Sequence, residues 1–213
     1  MISHALTIVA NEMGRHFQEA YPTAAGSTNT AIAPGNISEG FGSTNSGAVS
    51  RDALVLTIVN IGEEKALRNL PNAVRNDTTL RVTYENPPIY LNLTVLLTAT
   101  HKDYTTALKM LSRALRFLQS TNVFTHSSVA PASVMTNAPA NTLDQLAEFK
   151  LTFDLYSPTL EELNHLWGTL GGKQYPSVLF NLRLLDLQFR AVQAEGGLIT
   201  EVVRDFSHKS GVS

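Results

Sequence analysis

Glu162 and His165 stand three residues apart in LEELNHLW, a spacing that on a helix aims a carboxylate and an imidazole the same way and could hold a metal ion. Such a site needs ligands from another segment, and the sequence has no second Glu-x-x-His pair. Thr159-x-x-Glu162 also fits a capping box, in which the glutamate is occupied by backbone. Glu162 therefore reads as a cap, and His165 beside Trp167 as a packing or interface residue. Gly168–Lys173 (GTLGGK) has the look of a phosphate loop but fails as one. Trp167 occupies the first glycine position, Gln174 replaces the Ser/Thr, and the glycines close a helix where an anion site must open one. His126-Ser127-Ser128 places a base beside hydroxyls, so a small hydrolase using His126 and Ser127 is the enzymatic alternative. It lacks a G-x-S-x-G elbow, and the six histidines lie on separate segments. The expectation is no catalytic residue, no metal and no cofactor. Lys109, Arg113 and Arg116 form a basic stripe that reads as a solvated face or as the complement of an acidic partner.

The elements carrying these residues follow from periodicity. Ile2, Leu6, Val9, Met13, Phe17 and Ala20 recur at helical spacing, predicting a helix over 2–21 that Pro22 stops. Residues 22–50 are rich in Ala, Gly, Ser, Thr and Asn and read as a long loop. Strands are expected at Ala53–Ile61, near Thr79–Glu85, and at Ile89–Ala99, where Ile89, Leu91, Leu93, Val95 and Leu97 share a face. Asp103 should cap a helix of about 104–119 with Tyr104, Ala107, Leu108, Leu111, Leu115 and Leu118 inward. A second long loop spans 125–146. Glu148–Tyr156 then reads as a strand, and Leu160–Leu170 as a helix burying Leu160, Leu163, Leu166, Trp167 and Leu170. Gly171-Gly172 ends that helix, and Ser177–Leu187 reads as a strand. Glu195-Gly196-Gly197 reads as a turn into a last strand, Leu198–Phe206, forming a hairpin. The order predicts an α+β fold: one domain over 1–213, with a mostly antiparallel, mixed sheet of four to six strands and helices on one face.

Composition narrows the function classes. At 213 residues and net charge −2, with no cysteine, the chain has no field for nucleic acid, no disulfides and no thiolate sites. Its aromatics are too scattered for a base-stacking platform. Only 16% of residues are charged, so much of the surface is expected to be neutral and easily desolvated. No apolar run approaches the ~20 residues that span a bilayer. The N-terminus has no basic n-region, and His4, Asn11 and Glu12 interrupt its apolar pattern, so no signal peptide is read. A protein made in the cytoplasm, with no membrane partner, is expected.

Four stretches resemble the cap, or tail-terminator, proteins of phage-tail-like contractile injection systems. They are ISHALTIVANEMGRHF; IVNIGEEKALRN with NPPIYLNLTVLLTA; YTTALKMLSRALRFLQ; and LEELNHLWGTLGGKQYPSVLFNLRLL. The resemblance covers most of the chain apart from the two long loops. It implies a non-enzymatic subunit that forms a ring, commonly a hexamer, at the end of the inner tube and contractile sheath distal to the baseplate. Its partners would be further copies of itself, the sheath and tube proteins, and a second cap protein. The particle would be assembled in a bacterium and released from it. Longer family members continue past the final hairpin, so outermost cap and adaptor layer both fit; a neck or completion protein of a phage tail is the alternative within assembly proteins. A terminator can satisfy a polymer's last strand edge by strand addition. Glu148, Lys150, Thr152 and Asp154 on one strand, and Leu198, Thr200, Val202 and Arg204 on the last, are the candidate interface edges. Arg113 and Arg116 join them as a candidate contact, and the first helix with loop 22–50 is expected to supply one ring patch.

Overall fold

The computed structural model describes residues 1–22, 31–41, 49–64, 73–76, 81–85, 89–187 and 192–197. In chain order the elements are α1 (Ile2–Ala20), β1 (Ala31–Pro34), β2 (Ala53–Glu63), β3 (Ala73–Asn76), β4 (Arg81–Glu85) and β5 (Ile89–Ala99). They continue with α2 (Tyr104–Ser120), β6 (Val123–Thr125), α3 (Pro131–Met135), β7 (Lys150–Tyr156), α4 (Leu160–Thr169), β8 (Ser177–Leu187) and β9 (Val192–Gly197). They fall into two compact units: Met1–Lys65 with Ile89–Leu187, and Ala66–Pro88 with Gln188–Ser213.

The first unit is built on a six-stranded sheet in the order β1-β2-β5-β8-β7-β6. β1 runs parallel to β2, and every other pair is antiparallel. This is the mixed α+β architecture expected. The second unit contains the antiparallel sheet β3-β4-β9. Glu195-Gly196-Gly197, expected as a turn, lies inside β9. The expected strand Leu198–Phe206 lies outside the described residues.

Alternation along the long strands sorts their side chains into two cores. Leu54 and Leu56 of β2, Leu93, Val95 and Leu97 of β5, and Phe180 and Leu182 of β8 pack under α1 and α2. Val55, Leu96 and Leu179 face the other way and pack on Trp167 of α4. The helices are therefore divided between the faces, not confined to one. β2 is apolar at successive positions because both its faces are covered.

Local chemistry explains the helix ends. Asp103 accepts the Thr106 N–H at 2.8 Å, and Thr159 and Glu162 complete their capping box. Gly172 donates to the Trp167 carbonyl at 2.7 Å while Gly171 and Gly172 hold φ of 98° and 73°, a left-handed stop open to glycine at little cost. The buried stripes are rotated from those expected. Leu160 is 86% exposed and Tyr104 66%, while Met110, Ala114 and Phe117 fill the core side of α2. Apolar residues at a helix's first turn satisfy the period without reaching the sheet.

The two segments expected as loops carry more order than composition suggested. Residues 22–50 contain β1, a 3-10 turn at Ile37–Glu39 and a bridge between Phe41 and Val49. Residues 125–146 contain a closed turn, α3 and a 3-10 turn at Thr142–Asp144.

Candidate assembly interface

The three polar residues that interrupt the apolar pattern of α1 all face segment 126–146. His4 is 1% exposed; its Nδ1 accepts the Leu146 N–H at 2.9 Å, so Nε2 carries the proton and donates to the Val134 carbonyl at 2.9 Å. Asn11 Nδ2 donates to the carbonyls of Ser133 and Thr136, both at 2.9 Å. Glu12, also buried, accepts the Ala130 N–H at 2.8 Å and pairs with Arg15 at 2.7 Å. Burial by itself would raise the Glu12 carboxyl. Hydrogen bonds from Arg15, the Ser133 hydroxyl and the Ala130 N–H, with the Arg15 charge, outweigh it and hold the carboxyl below its ordinary value. The Met1 ammonium donates to the Asp144 carbonyl. An irregular segment needs partners for its main chain, and α1 supplies them. The signal was present in the sequence as polar residues on a core face, where they served only to argue against a leader.

The sheet edges decide where another chain could add. In β1, Gly35 N–H bonds Leu56 O on β2, so Ala33 and Gly35 turn inward and Ile32 and Pro34 outward. One of the two outward positions thus holds a proline, which has no N–H to offer. β6 has three residues, and its outward Thr125 is consumed by its own turn: its N–H donates to Ser128 Oγ at 2.9 Å, and its carbonyl accepts from Ser128 N–H and Val129 N–H at 3.1 Å. Both edges are short and partly blunted.

β7 was expected as a donor edge, and half of it is not one. Lys150, Leu151 and Thr152 pair with Thr125, Phe124 and Val123 of β6, while the far side of the strand pairs with β8. Beyond them the Phe153 N–H reaches the Asn122 carbonyl at 2.8 Å, and β6 contributes nothing further. By strand alternation Leu155 turns its N–H and C=O the same way as Phe153, into the open, and its side chain is 61% exposed.

The other expected interface residues scatter. Glu148 is exposed just before β7. Asp154 pairs with Arg183 of β8 at 3.0 Å. Arg116 is exposed, but Arg113 lies half-buried with its guanidinium 4.1 Å from the centre of the Tyr21 ring. Leu198, Thr200, Val202 and Arg204 lie outside the described residues.

The fragments that could have carried chemistry have structural employment. The Glu162 carboxylate accepts the Thr159 N–H at 2.8 Å and the Tyr156 hydroxyl at 3.1 Å, which holds it below the ordinary carboxylate range. His126 packs edge-on against Phe149, and Ser127 and Ser128 bond Thr125 in the turn closing β6. Among the described residues no group of three or more His, Asp or Glu is placed to hold a metal ion, and no helix is long and apolar enough to cross a membrane.

Comparison with known proteins accords with this arrangement. The sheath/tube terminator of an extracellular contractile injection system (PVC), solved in its extended state, superposes with a TM-score of 0.56 at 15% identity, over 97% of this chain and 65% of that one. The tube-terminating cap of the anti-feeding prophage gives a TM-score of 0.51 at 13% identity, over 72% of this chain and 49% of that one. This chain thus spans about two thirds and half of those chains, and at such identities the likeness is one of fold. No curated protein matches by sequence. The family model for the Pvc16 N-terminal domain matches residues 5–201, nearly the whole chain, and so bears out the resemblance to terminator proteins: the chain belongs to the Pvc16 N-terminal domain family.

Proposed function

We propose that the protein is a structural, non-enzymatic subunit of a ring that ends the inner tube and contractile sheath of a phage-tail-like injection particle, at the end away from the baseplate. Its partners are further copies of itself, in a sixfold ring, with the last sheath and tube subunits on one side and room for a second cap protein on the other. The particle is assembled in a bacterial cytoplasm and acts outside it. The observation that carries the reading is family membership across residues 5–201. The edge chemistry supports it. A terminator must accept a strand where the polymer ends and offer none that continues growth. β1 and β6 are short and each is partly blunted, and among the described residues the open main chain of Leu155 is a place where an incoming extended segment can bond.

Leu155→Pro tests this. Proline removes the outward N–H and leaves the β8 side of the strand alone, so the subunit should fold and fail to hold the sheath end. Particles made with the variant should show uncapped or overlong tubes by electron microscopy. Normal caps on particles of normal length would refute strand addition at Leu155. A wild-type protein absent from the distal end of intact particles would refute the terminator reading.

A further inference from the structure

The outward face of α2 combines two features that solvent alone does not require. Tyr104 and Leu108, one turn apart, are 66% and 42% exposed. Lys109, Arg113 and Arg116 follow on the same helix, which has no acidic residue after its Asp103 cap. Among the described residues none of the three lies within ion-pair distance of a carboxylate, and Arg113 is held in place by the Tyr21 ring. The face is an apolar ridge flanked by positive charge that has no salt-bridge partner among the described residues.

Its complement is in the same sequence. The first turn of α4 projects Leu160, the most exposed large apolar side chain described, next to Glu161 and Glu162. Among the described residues, the ion-pair partner of Glu161 is the exposed His165, at 3.8 Å. α2 and α4 cover opposite faces of the sheet, so one chain cannot bring the two patches together. A second copy can. We propose that the Leu160–Glu161–Glu162 turn of one subunit docks on the Tyr104/Leu108 ridge of the next, with Glu161 and Glu162 meeting Lys109 and Arg116. Two different patches per subunit make a heterologous contact, the kind that rings require. Apolar anchors supply affinity, and the charges supply register and choice of partner. The inference rests on the ring reading and names the contact within it.

Charge reversal tests it through mixing. Lys109→Glu with Arg116→Glu makes the ridge acidic; Glu161→Lys in a separate chain makes the turn basic. Each variant alone opposes like charges, and its self-association by mass photometry should fall at least about tenfold. All three positions are exposed, so both variants should melt like the parent. Mixed one to one, every contact in an alternating assembly is complementary again, and oligomers should return. Either variant assembling like wild type overturns the contact while leaving the ring reading intact. Two inert variants that stay inert when mixed overturn it as well. A wild-type chain that remains monomeric under the same conditions overturns the ring reading and the contact together.

Discussion

Replacing His4 with leucine isolates the clamp between α1 and segment 126–146. Leucine keeps an apolar side chain on a buried helical position and removes both ring nitrogens. It strands the Leu146 N–H and the Val134 carbonyl, each bonded to His4 at 2.9 Å. A buried group left without its partner costs ~1–3 kcal/mol, so the pair should cost about 3 kcal/mol. For a chain of this size that is a fall in melting temperature of roughly 6–12 °C. Amide exchange is the sharper assay, because the segment can open without global unfolding. Amides of 126–146 should exchange faster in the variant, while those of β5 and β8 change only as the global stability does. An unshifted melting curve with unchanged protection of 126–146 would falsify the clamp. Equal acceleration everywhere would show instead that His4 serves the core as a whole.

Three further outcomes follow from the same geometry. Glu12 binds a proton less readily folded than unfolded, so its share of stability is complete above its ordinary pKa of about 4.3 and is lost as pH falls through the lower folded value; Glu12→Gln should flatten that acid limb in pH-dependent melts, and an unchanged limb would assign it elsewhere. Thr159→Ala removes the hydroxyl that caps α4 and should cost ~1 kcal/mol, seen as faster exchange at Glu162 and Leu163, with no change if the cap is decorative. The Trp167 indole N–H is buried with no hydrogen-bond partner among the described residues, so Trp167→Phe should cost far less than the ~3–5 kcal/mol of Trp167→Ala; comparable losses in denaturant titrations would reveal a partner for the indole.

What was legible in the sequence was whatever a single element determines. The period of α1, the alternation of β5, the Asp103 cap and the Thr159–Glu162 box need no distant information, and the structure has each of them. β1 was missed because a four-residue strand of Ala, Ile, Ala and Pro carries no pattern; it exists through a parallel register with β2 that begins over twenty residues later. Segment 125–146 read as a loop because its order is held from outside, by His4, Asn11 and Glu12 at least 118 residues away. The division of helices between two faces was hidden by Leu96, one apolar residue on the otherwise polar side of β5. For the interface the limit was topological. Alternation identified β7 as a strand, but whether it lay at an edge depended on β6, three residues long.

The neutral polar composition acquires a different meaning in this light. Asn, Ser and Thr could have been surface waiting to be desolvated. Many are instead committed to main chain that no ladder satisfies. Asn36 and Asn141 cap 3-10 turns, Ser128 closes the end of β6, Thr57 bonds the Gly35 carbonyl beside Pro34, and Thr100 holds the Ser50 carbonyl and the Ala53 N–H where β2 begins. The Ser128 bonds sit where the edge of β6 would otherwise remain open. A hydroxyl or amide can bond a lone N–H or C=O without presenting another in register, whereas a neighbouring strand always passes the problem one strand outward. On the proposed reading, a subunit that ends a polymer has reason to finish its own sheet with side chains. Short neutral polar residues do this without burying charge.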